Sequence, residues 1–398
     1  MVPVSAKVAA GMVEGSWIRR MFEEGIVMRQ KYGDDKVFDL SIGNPVVEPP
    51  EQFNEALKQI VEKPVPGMHR YMENAGYPET RAAVAAYLAK ETGLKFTFDC
   101  IVMTCGAAAA INIALKAILN AGEEVVVFLP YFVDYLNYIL NHDGVPKLVP
   151  TDDRFQPDLK ALEAAIGPKT RAVLICSPNN PTGVVYSRQC LDSIGRIMQA
   201  AEKRFGTQIY LVCDEPYRRI IYDGLVFPQI WPAHQRSIVV YSHSKDLALP
   251  GERIGYVAIH PDCPDRANLV QGFIFCNRVL GFINAPALMQ RAVQGLQGVS
   301  VSVADYQAKR DLLYMGLVEA GYSVLKPQGA FYMFPKSPID DEVLFIRELQ
   351  ARGVLAVPGR GFGVNGYFRV SYCVDNRTIE GSLDGLRFVA RKFGLKPA

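Results

Sequence analysis

Lys245 and Arg253 stand eight residues apart in YSHSKDLALPGERIGYVAI, residues 241–259, at the junction of two apolar runs. A lysine desolvated there gives up its proton readily and can act as a nucleophile or base. An arginine offers a rigid fork of donors to an anion. Upstream, polar residues again follow strand-like runs. IVMT leads to Cys105-Gly106-Ala107-Ala108, VVVFLP to Tyr131 and Phe132, AVLICSP to Asn179-Asn180-Pro181-Thr182-Gly183, and QIYLVC to Asp214-Glu215-Pro216-Tyr217. Singly these are ordinary: SPNNPTG is turn composition, an aspartate at a strand end is a helix cap, GAAAAI is a helix start. Together they set a carboxylate, an amide, a phenol, hydroxyls, an amine and a guanidinium at successive strand ends, where open α/β sheets bind ligands. One ligand accounts for the whole set.

The elements that position these groups follow from the pattern. Six short apolar runs (101–106, 124–130, 172–178, 208–215, 237–244 and 253–259) are separated in several places by helical sequence such as LDSIGRIMQAAEKRF. Continuous apolar runs alternating with helices predict an α/β fold with a mostly parallel sheet covered on both faces. Only Lys245–Glu252 join the last two runs, too few for a crossover helix, so that pair is expected to be antiparallel. From about residue 286 the texture changes to one long helical stretch, PALMQ through VEAG, then the short strands GAFYMFP, VLAVPG and YFRVSY and a closing helix. This suits a smaller α+β domain. At 398 residues two domains are expected, a large one over 46–285 and a discontinuous small one over 1–45 and 286–398.

Composition removes several classes of function. A net charge of +2 gives no reason to expect nucleic acid or an anionic membrane as partner, and no apolar run is long enough to span a bilayer. The N-terminus lacks a signal-peptide layout. The eight cysteines form no CxxC and several sit inside apolar runs, so reduced thiols in a cytoplasmic protein are expected. The five histidines have no metal-ligand spacing, and no metal is expected. GFGVNG, residues 361–366, matches G-x-G-x-x-G but precedes a strand and opens no helix, which rules out a dinucleotide site.

The order TCGA, PYF, NNPTG, DEPY, SHSK and then Arg253 resembles the fold-type I pyridoxal-phosphate aminotransferases of classes I and II, aspartate aminotransferase-like. SIGNP (41–45), HRYMENAGYPETRAAVA (69–85), PQGAFYMFP (327–335) and GYFRVSYC (366–373) extend the resemblance nearly end to end. It implies a seven-stranded sheet in an α/β/α sandwich, pyridoxal 5'-phosphate as cofactor and Lys245 as the lysine that forms its Schiff base and moves the proton. Asp214 is similar to the partner of the cofactor's pyridine nitrogen, and Tyr217 and Asn180 to the partners of its phenolic oxygen. Phe132 takes the place of the stacking aromatic, usually Tyr or Trp, and so lacks any hydrogen bond from that position. Arg253, Ser242 and Ser244, with the backbone N–H groups of Gly106, Ala107 and Ala108, match the phosphate site; Ala108 lacks the hydroxyl many relatives carry nearby. Tyr71 resembles a tyrosine that reaches the phosphate of a neighbouring subunit, which implies a homodimer with shared active sites. Arg369 matches the clamp for the substrate α-carboxylate, with Gly43 and Asn180 assisting.

Transamination between an L-amino acid and a 2-oxo acid, by a ping-pong mechanism, is the implied activity. A carbon–sulfur β-lyase would use the same Lys245, Asp214 and Arg369, and a non-enzymatic regulatory domain would carry a DNA-binding module that the first 100 residues lack. Aspartate or glutamate, or a broad range, is the expected substrate set, with Arg278 as the candidate for a side-chain carboxylate although its register differs by about one residue from the usual arginine. Trp17, Ile18 and Tyr131 are candidates for an apolar pocket wall.

Overall fold

The computed structural model describes residues 4–5, 8–9 and 17–397, with the side chains of Ile18 and Arg19 outside that description. Among the described residues there are twelve strands: β1 (Phe38–Asp39), β2 (Ile101–Thr104), β3 (Glu124–Phe128), β4 (Val145–Val149), β5 (Thr170–Cys176), β6 (Tyr210–Asp214), β7 (Ser237–Ser242), β8 (Gly255–Ile259), β9 (Tyr332–Met333), β10 (Val354–Leu355), β11 (Val357–Pro358) and β12 (Phe368–Ser371). Seven of them form one sheet in the order β2-β8-β7-β6-β5-β3-β4. Only β8 runs against its neighbours, β2 and β7, as the short connection predicted. Its reversal has a functional consequence. Arg253, two residues before β8, lies at the same sheet edge as the residues just after the other strands.

Both sheet faces are dry, which is why these strands read as unbroken apolar runs. Alternate residues feed two cores: Val126, Val173, Leu211 and Val239 point into one, Val125, Leu174, Val212 and Val240 into the other. The helix Arg188–Phe205 covers the first face through Leu191, Ile194 and Met198. The Ser187 side chain accepts from Cys190 N–H to start it, and Gly206 at φ 66° ends it. Helix Gly106–Ile118 covers the second face through Ala109, Ile113 and Ala114.

Two expectations change. β4 was not among the predicted runs: VPKLV is half exposed and pairs only with β3 at the sheet edge, where Pro146 and Lys147 are tolerated and mask the apolar signal. The long helix expected after residue 286 is two helices, Ala287–Gln294 and Val303–Glu319. Gly298, at φ +99°, breaks the path, and the Ser302 side chain caps the second helix by accepting from Asp305 N–H. Beyond them β12 pairs antiparallel with β11 and β9, and β1 from the N-terminal segment pairs with β10. That last pairing brings SIGNP to the mouth of the large sheet.

Candidate active site

The strand ends open into one cavity of about 300 Å³. Gly43, Ala107, Ala108, Phe132, Asn180, Asp214, Tyr217, Ser242, Ser244, Lys245, Arg253 and Arg369 all line it. Gly106 lies directly behind, opening helix Gly106–Ile118. Tyr71 and Arg278 are not on the wall; both are exposed, Tyr71 at 90% and Arg278 stacked 5.6 Å from the Phe275 ring. Trp17 and Tyr131 pack beside Gly361 and Gly363 instead of lining the cavity, and the Ile18 side chain lies outside the described residues.

Lys245 sits in the single helical turn His243–Asp246 that follows β7, started by Ser242, whose side chain accepts from Ser244 N–H. Lys245 Nζ donates to the Gly43 carbonyl at 2.6 Å. Burial lowers the ammonium to about 8; Cys373 opposes the shift, while the charges of Arg369 and Arg253 add to it.

Asp214, at the end of β6, is 6% exposed. Its Oδ2 accepts from the Tyr135 hydroxyl at 2.6 Å, and Oδ1 is buried with no partner. Burial pushes this carboxyl up to about 7, with the Tyr135 hydrogen bond holding it back. The Tyr217 hydroxyl lies 3.0 Å from that of Tyr332, and burial, reinforced by that neighbour, raises the Tyr217 phenol well above its ordinary range.

The Arg253 end of the cavity is built by close approach. Arg253 donates from Nη1 to the Pro250 carbonyl at 2.9 Å and from Nη2 to the Cys105 carbonyl at 3.3 Å. Gly106 is at φ +79°, and a Cβ there would stand 2.8 Å from Arg253 Nη2, so glycine is needed for both conformation and space. The Ser242 and Ser244 hydroxyls are 2.5 Å apart beside the free N–H groups of the helix start.

Arg369 lies on β12, the central strand of the small sheet, and is 1% exposed. Nη1 donates to Asn180 Oδ1 at 3.1 Å and Nη2 to the Ser41 carbonyl at 2.5 Å, while Nε has no partner. The guanidinium is 4.5 Å from the Tyr332 ring centroid and 4.9 Å from that of Phe362. A Cβ on Gly43 would fall on the Tyr332 hydroxyl, so SIGNP can pass over this arginine only with glycine at that position.

Among the wall residues that sequence reasoning missed are Tyr135 and Tyr332. The signal for Tyr332 was its place in GAFYMFP; Tyr135, three residues after Phe132, carried none beyond that spacing.

A desolvated amine, a buried carboxylate with one free oxygen and two arginine forks in one cavity, on this seven-stranded sheet, define an α/β enzyme of fold type I. The chain belongs to the family aminotransferase class I and II, whose model matches residues 35–386. It is 34% identical over 352 residues to the probable aspartate/prephenate aminotransferase of Thermus aquaticus, covering 87% of this chain and 89% of that one. An amino transferase structure from Eubacterium rectale matches with a TM-score of 0.94 at 37% identity, over 98% of this chain and 99% of that chain. Aspartate aminotransferase from Thermus thermophilus with maleate matches with a TM-score of 0.86 at 29% identity, over 98% and 100%. The protein is an enzyme, an aminotransferase, as the order of its motifs implied, and none of these likenesses favours the lyase alternative.

Proposed function

We propose that the cavity holds pyridoxal 5'-phosphate and passes the amino group of an L-amino acid, aspartate or glutamate among them, to a 2-oxo acid. One observation supports this above all. Lys245, Asp214, Arg253 and Arg369 share a single cavity in which Asp214 Oδ1 and Arg369 Nε are buried without partners. Such atoms are costly to leave unsatisfied, so a ligand with a donor for the first and an anion for the second fits the wall.

The residues fit the cofactor group by group. Arg253, Ser242, Ser244 and the N–H groups of Gly106, Ala107 and Ala108 would hold its phosphate; Phe132 would lie against its ring. Asp214 would pair with the ring nitrogen, Tyr217 and Asn180 with the phenolic oxygen, and Lys245 with the aldehyde carbon. When bound, the group supplies a carbonyl that takes up nitrogen and a ring that draws electrons from the substrate α-carbon. The chain's own work is binding and proton movement. Arg369, assisted by the Gly43 N–H, holds the α-carboxylate and so aims the α-hydrogen at Lys245. With its ammonium lowered to about 8, Lys245 Nζ can both take that proton and return it near neutral pH.

Two copies of the chain complete the site in this reading. Tyr71 belongs to a hollow formed by His69–Met72 and Phe282–Ala287, and would reach the phosphate held by the partner subunit. Arg278, near the end of helix Arg266–Val279, would meet a side-chain carboxylate. We assign 46–285 to the large domain and 1–45 with 286–398 to the small one. No helix among the described residues is long and apolar enough to cross a membrane. The cytoplasm suits the eight free cysteines.

The test is a half-reaction panel in which each amino acid is added while the cofactor's visible absorbance is followed. Aspartate and glutamate should bleach the band, a 2-oxo acid should restore it, and Lys245→Ala should lack it. If no amino acid bleaches the band and Lys245→Ala keeps the wild-type spectrum, the reading is wrong. Ammonia and pyruvate released from cysteine without a 2-oxo acid would identify the lyase instead.

A further inference from the structure

Tyr135 opens the short helix Tyr135–Leu140 and is 2% exposed, yet no role in holding the cofactor or substrate falls to it. Its hydroxyl donates to Asp214 Oδ2 at 2.6 Å, the length of a charge-assisted O–H···O⁻ bond. Among the described residues nothing else replaces this donor. Cys176, opposite Asp214 on β5, gives its thiol proton to the Pro178 carbonyl. Glu215 and Tyr217 follow Asp214 on its own strand end, and the Tyr217 phenol pairs with Tyr332. Among the described residues, Tyr135 is the one hydrogen-bond partner of the Asp214 side chain, and Oδ1 is left bare.

We propose that Tyr135 is a positioning residue for the transamination: it anchors one oxygen of Asp214 so that the other is presented to the cavity, and it stabilises the ionised carboxylate. The proposal rests on the cofactor reading above, in which the bare oxygen faces the cofactor's ring nitrogen. Its physical basis is a competition for one proton. A carboxylate with no donor becomes more basic, so the proton shared with a ring nitrogen moves towards the carboxylate. The ring then draws electrons less strongly. Burial already pushes Asp214 up to about 7, and Tyr135 supplies the counter-effect. The Tyr135 phenol is itself held well above its ordinary range, first by burial and then by Asp214, so it stays a donor across the working pH.

The same turn ties this bond to the ring-stacking position. Tyr135 N–H donates to the Phe132 carbonyl at 3.0 Å, and the two rings meet edge to face, 5.4 Å apart at 73°. Phe132 has no polar atom to offer. The polar function at this corner therefore comes from the residue one helical turn further on. Because the ring contact needs no hydroxyl, Tyr135→Phe deletes the donor while leaving the packing group in place.

The experiment uses the holoenzyme loaded with pyridoxal phosphate labelled with ¹⁵N in its ring. In Tyr135→Phe the ring-nitrogen resonance should move towards that of unprotonated pyridine. The kcat should fall about tenfold while the KM for the amino acid stays within about twofold, in keeping with the loss of one hydrogen bond to a charged group. An unchanged ¹⁵N resonance in Tyr135→Phe overturns the proposal. If that variant does not fold, 3,5-difluorotyrosine at position 135 keeps the shape and carries the test. Its ¹⁹F resonance should move when apoprotein takes up the cofactor, and no movement overturns the proposal equally. Failure of the cofactor reading is separate and visible, because wild-type protein would then take up no pyridoxal phosphate at all.

Discussion

Replacing Arg369 with methionine separates the two explanations a buried arginine can have. Arg310, 0% exposed, solves its burial within the chain: Nη1 and Nη2 bind Asp223 at 2.6 and 2.9 Å, and Asp311 adds a second carboxylate. Arg369 is as buried but is met only by an amide oxygen and a carbonyl, with no ion pair to an acidic side chain among the described residues. If Arg369 is kept for a ligand's carboxylate, its removal should damage binding far more than folding. Two charge-assisted hydrogen bonds are worth about 3–6 kcal/mol together, so kcat/KM should fall roughly 10²- to 10⁴-fold. On the stability side, Asn180 Oδ1 and the Ser41 carbonyl lose donors at about 1–3 kcal/mol each. Relief from burying a cation without an anion offsets this, and methionine can pack against the Tyr332 and Phe362 rings. The net change should stay within about 2 kcal/mol of zero. Arg310→Met takes the cation from Asp223 and Asp311, both about half exposed and Asp311 still paired with Lys326, and the donor from the buried Pro327 carbonyl; it should instead lose about 2–4 kcal/mol with the specific activity of the folded fraction preserved. Urea midpoints and kcat/KM on the same preparations decide the matter. A saturating unreactive carboxylate adds a third measure: at 100 times its Kd it should stabilise wild type by about 2.7 kcal/mol and Arg369→Met by almost nothing. The reasoning fails if Arg369→Met is destabilised as much as Arg310→Met, or if it keeps kcat/KM within tenfold of wild type.

Two further outcomes follow from the same site. In ligand-free protein the folded Asp214 titrates at about 7 against an ordinary 3.8, and Lys245 at about 8 against 10.5. For Asp214 the unfolded chain holds fewer protons between about 4 and 7, so its contribution to stability is lost as pH rises through that window. For Lys245 the unfolded chain holds more protons between about 8 and 10.5, so stability returns as pH rises there. The two groups together should produce a trough near pH 7–8, read from urea midpoints across pH; Lys245→Met should remove the rise above 8, and its persistence would refute the assignment. Arg278→Ala should lower kcat/KM for aspartate by about tenfold or more while leaving alanine within twofold; an equal effect on both donors would remove Arg278 from substrate recognition.

Much of the sheet was legible because its strands are buried on both faces. Runs such as EVVVF and YLVCD announce a covered sheet, and the polar residues after them can only lie along its edge. β4 was hidden for the opposite reason, since an edge strand may carry proline and lysine and so loses its signature. The helix break after residue 294 was hidden because VQGLQGVSV keeps a helical apolar rhythm through its glycines. In the site, residues were legible when motif order named them, as with Lys245, Asp214 and Arg369. Tyr135 and Tyr332 escaped because their importance lies in which polar atom they touch, and a contact between residues 79 or 115 positions apart leaves no mark in local pattern.

That difference explains how a stable fold can hold so costly a cavity. The buried Arg310 is paired with two half-exposed carboxylates, and Asp246, beside Lys245 in sequence, is buried with the Tyr241 hydroxyl at 2.6 Å and His243 Nδ1 at 3.0 Å. Elsewhere, then, this chain pairs its buried charges. In the cavity it does not: Asp214 keeps a bare oxygen, Arg369 a bare Nε, and Lys245 donates only to a backbone carbonyl. Each of these groups could have been satisfied by neighbouring side chains, as Asp246 is by Tyr241 and His243. Left as they are, they lower the stability of the ligand-free protein and raise the affinity for a ligand carrying the complementary charges, since both follow from the same unpaired atoms. The half-satisfied carboxylate is the most informative of the three. Tyr135 occupies one of its oxygens and leaves the other, which is the arrangement expected where a carboxylate must stay ionised and still have an oxygen to give.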